Sequence, residues 1–272
     1  MEVYFNDNFV NEEEAKLHVS DLSIQRSYAI FDFFRTVNGV PLFMEDHLDR
    51  FFASATAMHL AMSKSREEIR NIVEELIKRS SLSEAGIRLM LTGGYSADSY
   101  HPGTPNFLII CNPVKTATAH NFEKGFSVIT YEHQRQLPHI KSINYLIAVW
   151  LQPRLKEKQA DDMLYYNKES ITEFPRANVF IVSANNILVT PARNILYGIT
   201  RKNIINLAAG MMPVVERDIS VEELLHASEV FLTATTKKII PIVKINSQPI
   251  GNGRPGPVTI KLFEKFLELE KG

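Results

Sequence analysis

Four short stretches of the chain carry side chains suited to chemistry. Lys141, in His139-Ile140-Lys141-Ser142-Ile143-Asn144-Tyr145-Leu146, stands where an apolar helical pattern begins. An amine held near an interior binds its proton less tightly and can form a Schiff base with a carbonyl. Glu173 lies between two apolar stretches in Ile171-Thr172-Glu173-Phe174-Pro175-Arg176-Ala177-Asn178-Val179-Phe180. Leu196-Tyr197-Gly198-Ile199-Thr200-Arg201 reads as a glycine turn, with Thr200 as the N-cap of a helix carrying Ile204, Ile205, Leu207 and Ala208. Backbone N–H groups at a helix start make a natural phosphate cradle. Phe231-Leu232-Thr233-Ala234-Thr235-Thr236-Lys237-Lys238 reads as a strand running into a hydroxyl-rich, basic loop that offers an anion further donors. Taken singly, each stretch also fits an ordinary role: a surface lysine, a strand-end acid, a plain helix cap, a strand end.

Other chemistries leave no trace. No Gly-x-Gly-x-x-Gly is read after a strand, the pattern occurring once, at Gly251-Asn252-Gly253-Arg254-Pro255-Gly256; there is no phosphate loop ending in Gly-Lys-Ser/Thr and no Gly-x-Ser-x-Gly elbow. The eight histidines are scattered without a His-Glu-x-x-His pair, so no metal site is expected. Cys111 is the only cysteine, which excludes an intrachain disulfide and points to a reducing, cytoplasmic setting. Thirty Lys and Arg against thirty-one Asp and Glu leave a net charge of −1, so no overall field draws the chain to nucleic acid or an anionic membrane. The longest apolar run, near 143–151, is broken by Asn144 and too short to span a bilayer, so no membrane partner is expected.

The elements that must position these residues follow from periodicity. A hydrophobic fraction of 45% over 272 residues is that of a globular chain of one large or two modest domains. The first thirty residues read as a strand meander turning at Asn6-Asp7-Asn8. Helical spacing begins at Asp46 with Leu48, Phe51, Phe52, Ala55, Met58 and Met62, and a second helix follows the capping box Ser65-Arg66-Glu67-Glu68. Strands are expected over 87–91 and 107–111, separated by a loop rich in Gly and Pro. The polar stretch 112–120 gives the linker, so the domains are expected as 1–114, a linker over 115–120, and 121–272. Beyond it, strands over 126–131, 163–166, 178–183, 187–189 and 230–234 alternate with helices over 143–158, 201–209, 221–227 and 258–270. A second capping box is read at Ser220-Val221-Glu222-Glu223. The fold class is mixed α/β (α+β).

The order of the motifs resembles the fold type IV pyridoxal-phosphate enzymes: branched-chain aminotransferases, D-amino-acid aminotransferases and aminodeoxychorismate lyases. The likeness runs through Tyr4-Phe5-Asn6-Asp7, Arg26-Ser27-Tyr28 before Asp32, and Glu45-Asp46-His47-Leu48-Asp49-Arg50. It continues through Lys141 with Asn144, Thr172-Glu173 with Asn178-Val179-Phe180, and Gly198-Ile199-Thr200-Arg201. The resemblance implies a two-domain architecture with pyridoxal 5′-phosphate between the domains, and a homodimer in which one subunit completes the other's pocket. It makes Lys141 the Schiff-base lysine that also carries the proton between substrate Cα and cofactor, and Glu173 the carboxylate that keeps the pyridine nitrogen protonated. Arg50, Ile199, Thr200 and Thr235 match the phosphate cup. Tyr145, one position from the tyrosine of branched-chain enzymes, is assigned to the cofactor's phenolic oxygen.

Departures from the family pattern bear on substrate. Phe31-Asp32-Phe33 stands where Gly-Asp-Gly is usual, Arg35 where Phe or Tyr is common, and Phe174 and Arg176 where relatives are smaller or acidic. Thr92-Gly93-Gly94-Tyr95 resembles the Gly-Gly form of the substrate loop rather than the arginine and histidine trap of typical D-amino-acid enzymes. Arg26, Arg35, Arg88 and Arg176 are the candidate binders of a substrate carboxylate, since guanidinium meets carboxylate bidentately. The expected reaction is exchange of an amino group between an amino acid, D- or branched-chain-type, and a 2-oxo acid. Two alternatives stand beside it: a lyase that releases pyruvate, and a non-catalytic dimer that binds a phosphate ligand.

Overall fold

The computed structural model describes residues 1–168 and 170–271. The chain forms two compact units, Met1–Lys115 with Ile140–Asn144, and Thr116–His139 with Tyr145–Gly272. Lys141 therefore packs with the first unit although it follows part of the second in sequence. The last two residues of the expected 115–120 linker open a helix instead, because Thr118 and Asn121 form a reciprocal capping box.

In the first unit β1 (Glu2–Phe5), β2 (Asn8–Asn11), α1 (Leu22–Arg26), β3 (Ala29–Val37), β4 (Val40–Pro41), α2 (Met44–Ala57), α3 (Arg66–Ser80), β5 (Ala85–Thr92) and β6 (Phe107–Pro113) follow in order. The six strands form one antiparallel sheet ordered β2-β1-β6-β5-β3-β4. Asn6 and Asp7, both at positive φ, make the two-residue hairpin turn expected there. The meander does not run through the first thirty residues: Asp21 accepts from the Ser23 N–H and starts the short helix α1. The Ser65–Glu68 box caps α3 as read.

Strand alternation in β3 decides what each face carries. Asp32 and Phe34, opposite Leu89 and Ile87, lie on the face where Leu48, Phe51, Ile69, Val73 and Leu76 of α2 and α3 build the core. Phe31 and Phe33, opposite Met90 and Arg88, lie on the other face. The core side of β3 thus holds a charge among apolar side chains, and that charge must be paired.

In the second unit α4 (Ala119–Lys124), β7 (Phe126–Glu132), α5 (Leu146–Trp150), α6 (Gln152–Glu157), β8 (Asp162–Asn167), β9 (Ser170–Ile171), β10 (Asn178–Val182), β11 (Leu188–Thr190), α7 (Ile199–Ala209), β12 (Val214–Glu216), α8 (Val221–Leu225), β13 (Glu229–Ala234), β14 (Lys238–Ile245), β15 (Gln248–Pro249) and α9 (Pro257–Leu269) follow. The sheet is mixed, ordered β12-β11-β10-β13-β14-β7-β8-β9 with β15 on β14, and the pairs β7/β8, β7/β14 and β11/β12 are parallel. The helix expected over 143–158 is two short ones that begin only at Leu146 and break at Leu151, with a proline in the first turn of α6 where its missing N–H costs nothing. Ser220 caps α8, but Glu223 is drawn away by Arg217, so the reciprocal half of that box is replaced by an ion pair. Helix α7 starts at Gly198 rather than at Thr200, which lies inside the first turn.

Asp21 anchors the Gly93-Gly94 loop. Its buried carboxylate accepts from the Ser23 N–H (2.8 Å), the Thr92 hydroxyl (2.7 Å) and the Asn106 amide (2.8 Å). Gly94, at φ +75°, lies so close to Thr104 that a Cβ would fall 2.1 Å from its carbonyl oxygen. Asp21→Ala leaves buried donors unsatisfied and is expected to lower unfolding stability by about 3 kcal/mol in urea titration, with loosening of the 93–106 loop in hydrogen exchange.

Candidate active site

The first unit supplies a buried charge cluster. Asp32 has no solvent exposure and accepts from Arg50 Nε on Oδ2 and Arg50 Nη2 on Oδ1, both at 2.8 Å, in a bidentate pair across from β3 to α2. His47, one helical turn before Arg50, places Nδ1 2.7 Å from Asp32 Oδ1. Burial pushes the Asp32 carboxyl up, but the Arg50 charge and the hydrogen bonds from Arg50 and His47 outweigh it and hold the carboxyl well below the usual carboxylate range. Burial likewise pushes the His47 imidazole down, against the pull of Asp32. Since a carboxylate only accepts, the contact with Asp32 places a proton on Nδ1. Arg50, expected in the phosphate cup, thus has part of its fork fixed by Asp32.

Lys141 is laid against β3. Its carbonyl accepts from the Phe31 N–H at 2.9 Å, its N–H reaches the Ser54 hydroxyl at 3.4 Å, and its Nζ lies 4.5 Å from the centre of the Phe31 ring. The Arg88 guanidinium lies 5.4 Å from the same ring and 6.0 Å from that of Phe33. Lys141 and Arg88 are therefore brought together on one aromatic platform. Arg35 is buried on β3, and Arg26 is exposed at the end of α1, donating to the Gln25 carbonyl.

The second unit supplies a carboxylate tied to a helix start. Glu173 is 4% exposed; its Oε1 accepts from Arg135 Nε at 2.7 Å and its Oε2 from the Leu196 N–H at 2.9 Å. The Leu196 carbonyl accepts from Asn178 Nδ2 at 2.7 Å, and a Cβ on Gly198 would fall 2.1 Å from Asn178 Oδ1. Only glycine allows β10 and the start of α7 to approach so closely. The first turn of α7, Ile199 and Thr200, has no side-chain cap. Thr233, opposite Asn178 on β13, is buried with an unpartnered hydroxyl, and Thr235 opens the turn between β13 and β14. Arg201 turns inward to Thr190, Pro191 and Glu216 and braces the helix. Tyr145 immediately precedes α5, and Arg176 is exposed in the tight Phe174–Ala177 turn.

This cradle fits a ligand with a phosphate at one end and a basic ring nitrogen at the other: an uncapped helix start beside hydroxyls, and a buried anion linked to it through Leu196. Among the described residues, no group of His, Cys, Asp and Glu is placed to hold a metal. Sequence reading missed Asp32 and His47 as partners of Arg50, and Arg135 as the partner of Glu173. The traces were Asp32 within Phe31-Asp32-Phe33 and His47 within the Glu45–Arg50 motif, one turn before Arg50.

The depressed Asp32 carboxyl fixes a pH dependence. Its contribution is complete above the unfolded value of about 4 and is lost as pH falls toward the lower folded value. Asp32→Asn is expected to cost about 3–5 kcal/mol at neutral pH. It should also flatten the acid limb of stability in urea titrations run at several pH values; an unchanged acid limb would show that the pair carries no linkage.

A family model described as amino-transferase class IV matches residues 29–245. A protein of Methanocaldococcus jannaschii, provisionally assigned as a branched-chain-amino-acid aminotransferase, is 32% identical over 99% of this chain and 96% of its own length. The D-alanine aminotransferase of Listeria monocytogenes is 31% identical over 98% of this chain and 96% of its own. The crystal structure of the Escherichia coli branched-chain amino acid aminotransferase superposes with a TM-score of 0.91 at 25% identity, over 98% of this chain and 94% of that one. The fold is that of these enzymes, and the chain belongs to the class IV aminotransferases.

Proposed function

We propose that the chain moves an amino group between an amino acid and a 2-oxo acid, with Lys141 and Glu173 as its central groups and Arg88 as the binder of a substrate carboxylate. The cofactor of this enzyme class is pyridoxal 5′-phosphate, whose aldehyde takes up the amino group and whose protonated ring withdraws electrons from the substrate Cα. Lys141 would hold that aldehyde through its Nζ and would carry the proton at the substrate Cα. Glu173 holds the proton at the ring nitrogen. Ile199, Thr200, Thr235 and Arg50 bind the phosphate, and Tyr145 meets the phenolic oxygen. The observation that carries this reading is the buried Glu173 tied through Leu196 to the uncapped start of α7.

Arg88 is favoured among the four arginines because its guanidinium shares the Phe31 ring with Lys141. Arg35 and Arg26 of the first unit and Arg176 of the second remain sites for the same test. A homodimer is supported by α5, where Val149 and Trp150 are 66% and 64% exposed, an apolar surface that favours a protein partner over water. The buried lone Cys111 suits a cytoplasmic setting. No helix among the described residues is long and apolar enough to cross a membrane.

Reconstitution with pyridoxal 5′-phosphate is expected to give a visible absorption that one enantiomer of glutamate bleaches and the other does not, which selects the D or L branch. Lys141→Ala should abolish both the absorption and the transfer; an unchanged rate would overturn the assignment. Arg88→Met should raise KM for the amino acid by about 10–100-fold, the value of a charged hydrogen-bonded contact, with the cofactor still bound. Sedimentation should find a dimer that Trp150→Glu dissociates.

A further inference from the structure

Arg135 belongs to none of the motifs that mark the family in this chain, yet it is the cation set against Glu173. It lies in the loop after β7, within a stretch pinned on several sides. Gln134 donates to the Asn194 carbonyl at 3.2 Å and accepts from Asn167 Nδ2 at 2.7 Å, and the His133 N–H donates to the Tyr166 carbonyl at 2.9 Å. The Arg135 guanidinium donates through Nε to Glu173 Oε1 at 2.7 Å and through Nη2 to the Pro138 carbonyl at 2.6 Å. Its side chain is 10% exposed and that of Glu173 5%. Arg135 therefore ties Glu173 to the turn at Pro138.

Three further titratable groups of this region, His133, Tyr165 and Asp162, add no positive charge. The His133 ring packs edge-on against Tyr165 at 4.9 Å, and burial together with the Arg135 charge pushes its imidazole down. Burial pushes the Tyr165 phenol up, reinforced by the charges of Asp162 and Glu173 and by Tyr131. Asp162 is paired to Lys237. A carboxylate this deeply buried without a positive partner takes up a proton at much higher pH, reaching about 8–9 in documented cases. A protonated Glu173 would no longer hold a positive charge on a ring nitrogen.

We propose that Arg135 is a positioning residue that keeps Glu173 ionised and, with the Leu196 N–H, fixes the plane of its carboxylate toward the cofactor ring. This rests on the role given to Glu173 above. The part played by Arg135 is electrostatic through its charge and geometric through its fork. Lysine at this position keeps the first and loses the second.

Carboxyl ¹³C NMR of the full-length chain labelled at glutamate, before cofactor is added, reads the charge directly, with the Glu173 signal assigned by its absence in Glu173→Gln. In the wild type and in Arg135→Lys the signal should stay at its ionised position over about pH 5–9. In Arg135→Gln and Arg135→Met it should titrate within that range. Pyridoxal 5′-phosphate affinity, followed by absorbance at pH 7, should fall about tenfold in the two neutral variants and less than threefold in Arg135→Lys. A merely structural role would leave the Glu173 titration where it is. A Glu173 signal that stays ionised in a folded neutral variant overturns the proposal, and where neither neutral variant folds, titration of Glu173 in Arg135→Lys overturns it. A wild-type chain that takes up no pyridoxal 5′-phosphate while Glu173 titrates as stated would defeat the functional reading and leave the electrostatic role of Arg135 intact.

Discussion

A buried carboxylate has to be given donors that meet its charge, and each unit of this chain sets one such carboxylate against a guanidinium. Asp32 sits with no exposure on the core face of β3, and Arg50 reaches it with two donors from α2. Glu173 sits at the end of an apolar stretch, and Arg135 meets it from the loop after β7. Buried pairs contribute little net stability compared with an apolar pair of the same shape, but breaking one costs several kcal/mol. Their value here is positional. Asp32 fixes Arg50 on α2 and Arg135 fixes Glu173 against the turn before α7, so in each unit a side chain proposed to meet the cofactor is held by one that is not.

Much of the fold was legible because its helices and hairpin obey simple periods. The stripes of α2 and α3, the Ser65 capping box and the Asn6-Asp7 turn are local signals, and local signals survive folding. The β3 strand was not read, since Ala29-Ile30-Phe31-Asp32-Phe33-Phe34-Arg35-Thr36-Val37 carries mostly apolar residues with one charge on each face and shows no alternation of polar and apolar residues. The split between α5 and α6 was hidden because Pro153 is compatible with a helix start and looks like an interruption only when the chain around Leu151 is seen. Gly198 displaced Thr200 as the cap for a long-range reason: Asn178 occupies the space where any side chain on Gly198 would be.

The site was legible in a different way. Lys141, Glu173 and the Gly198–Arg201 stretch were weak one by one and became specific only through their order along the chain. The partners were invisible because pairing is not written locally. Arg50 meets Asp32 eighteen positions away and Arg135 meets Glu173 thirty-eight away, each across two different elements. Charge alone does not identify such pairs in a chain with thirty cations and thirty-one anions. Glu229 shows the same rule outside the site, since its carboxylate accepts from the Val258 and Thr259 N–H groups and caps α9 from β13.

Phe31 gives the first unit a feature that neither charge pair supplies. Two cations, Lys141 Nζ and the Arg88 guanidinium, approach one ring at 4.5 and 5.4 Å. Each contact is worth about 0.5–2 kcal/mol, while the two like charges repel each other across a partly buried space. The aromatic face attracts each cation without neutralising it. The aromatic residue at position 31, where glycine is common in the family, is thus what sets a lysine and an arginine of this unit against one ring.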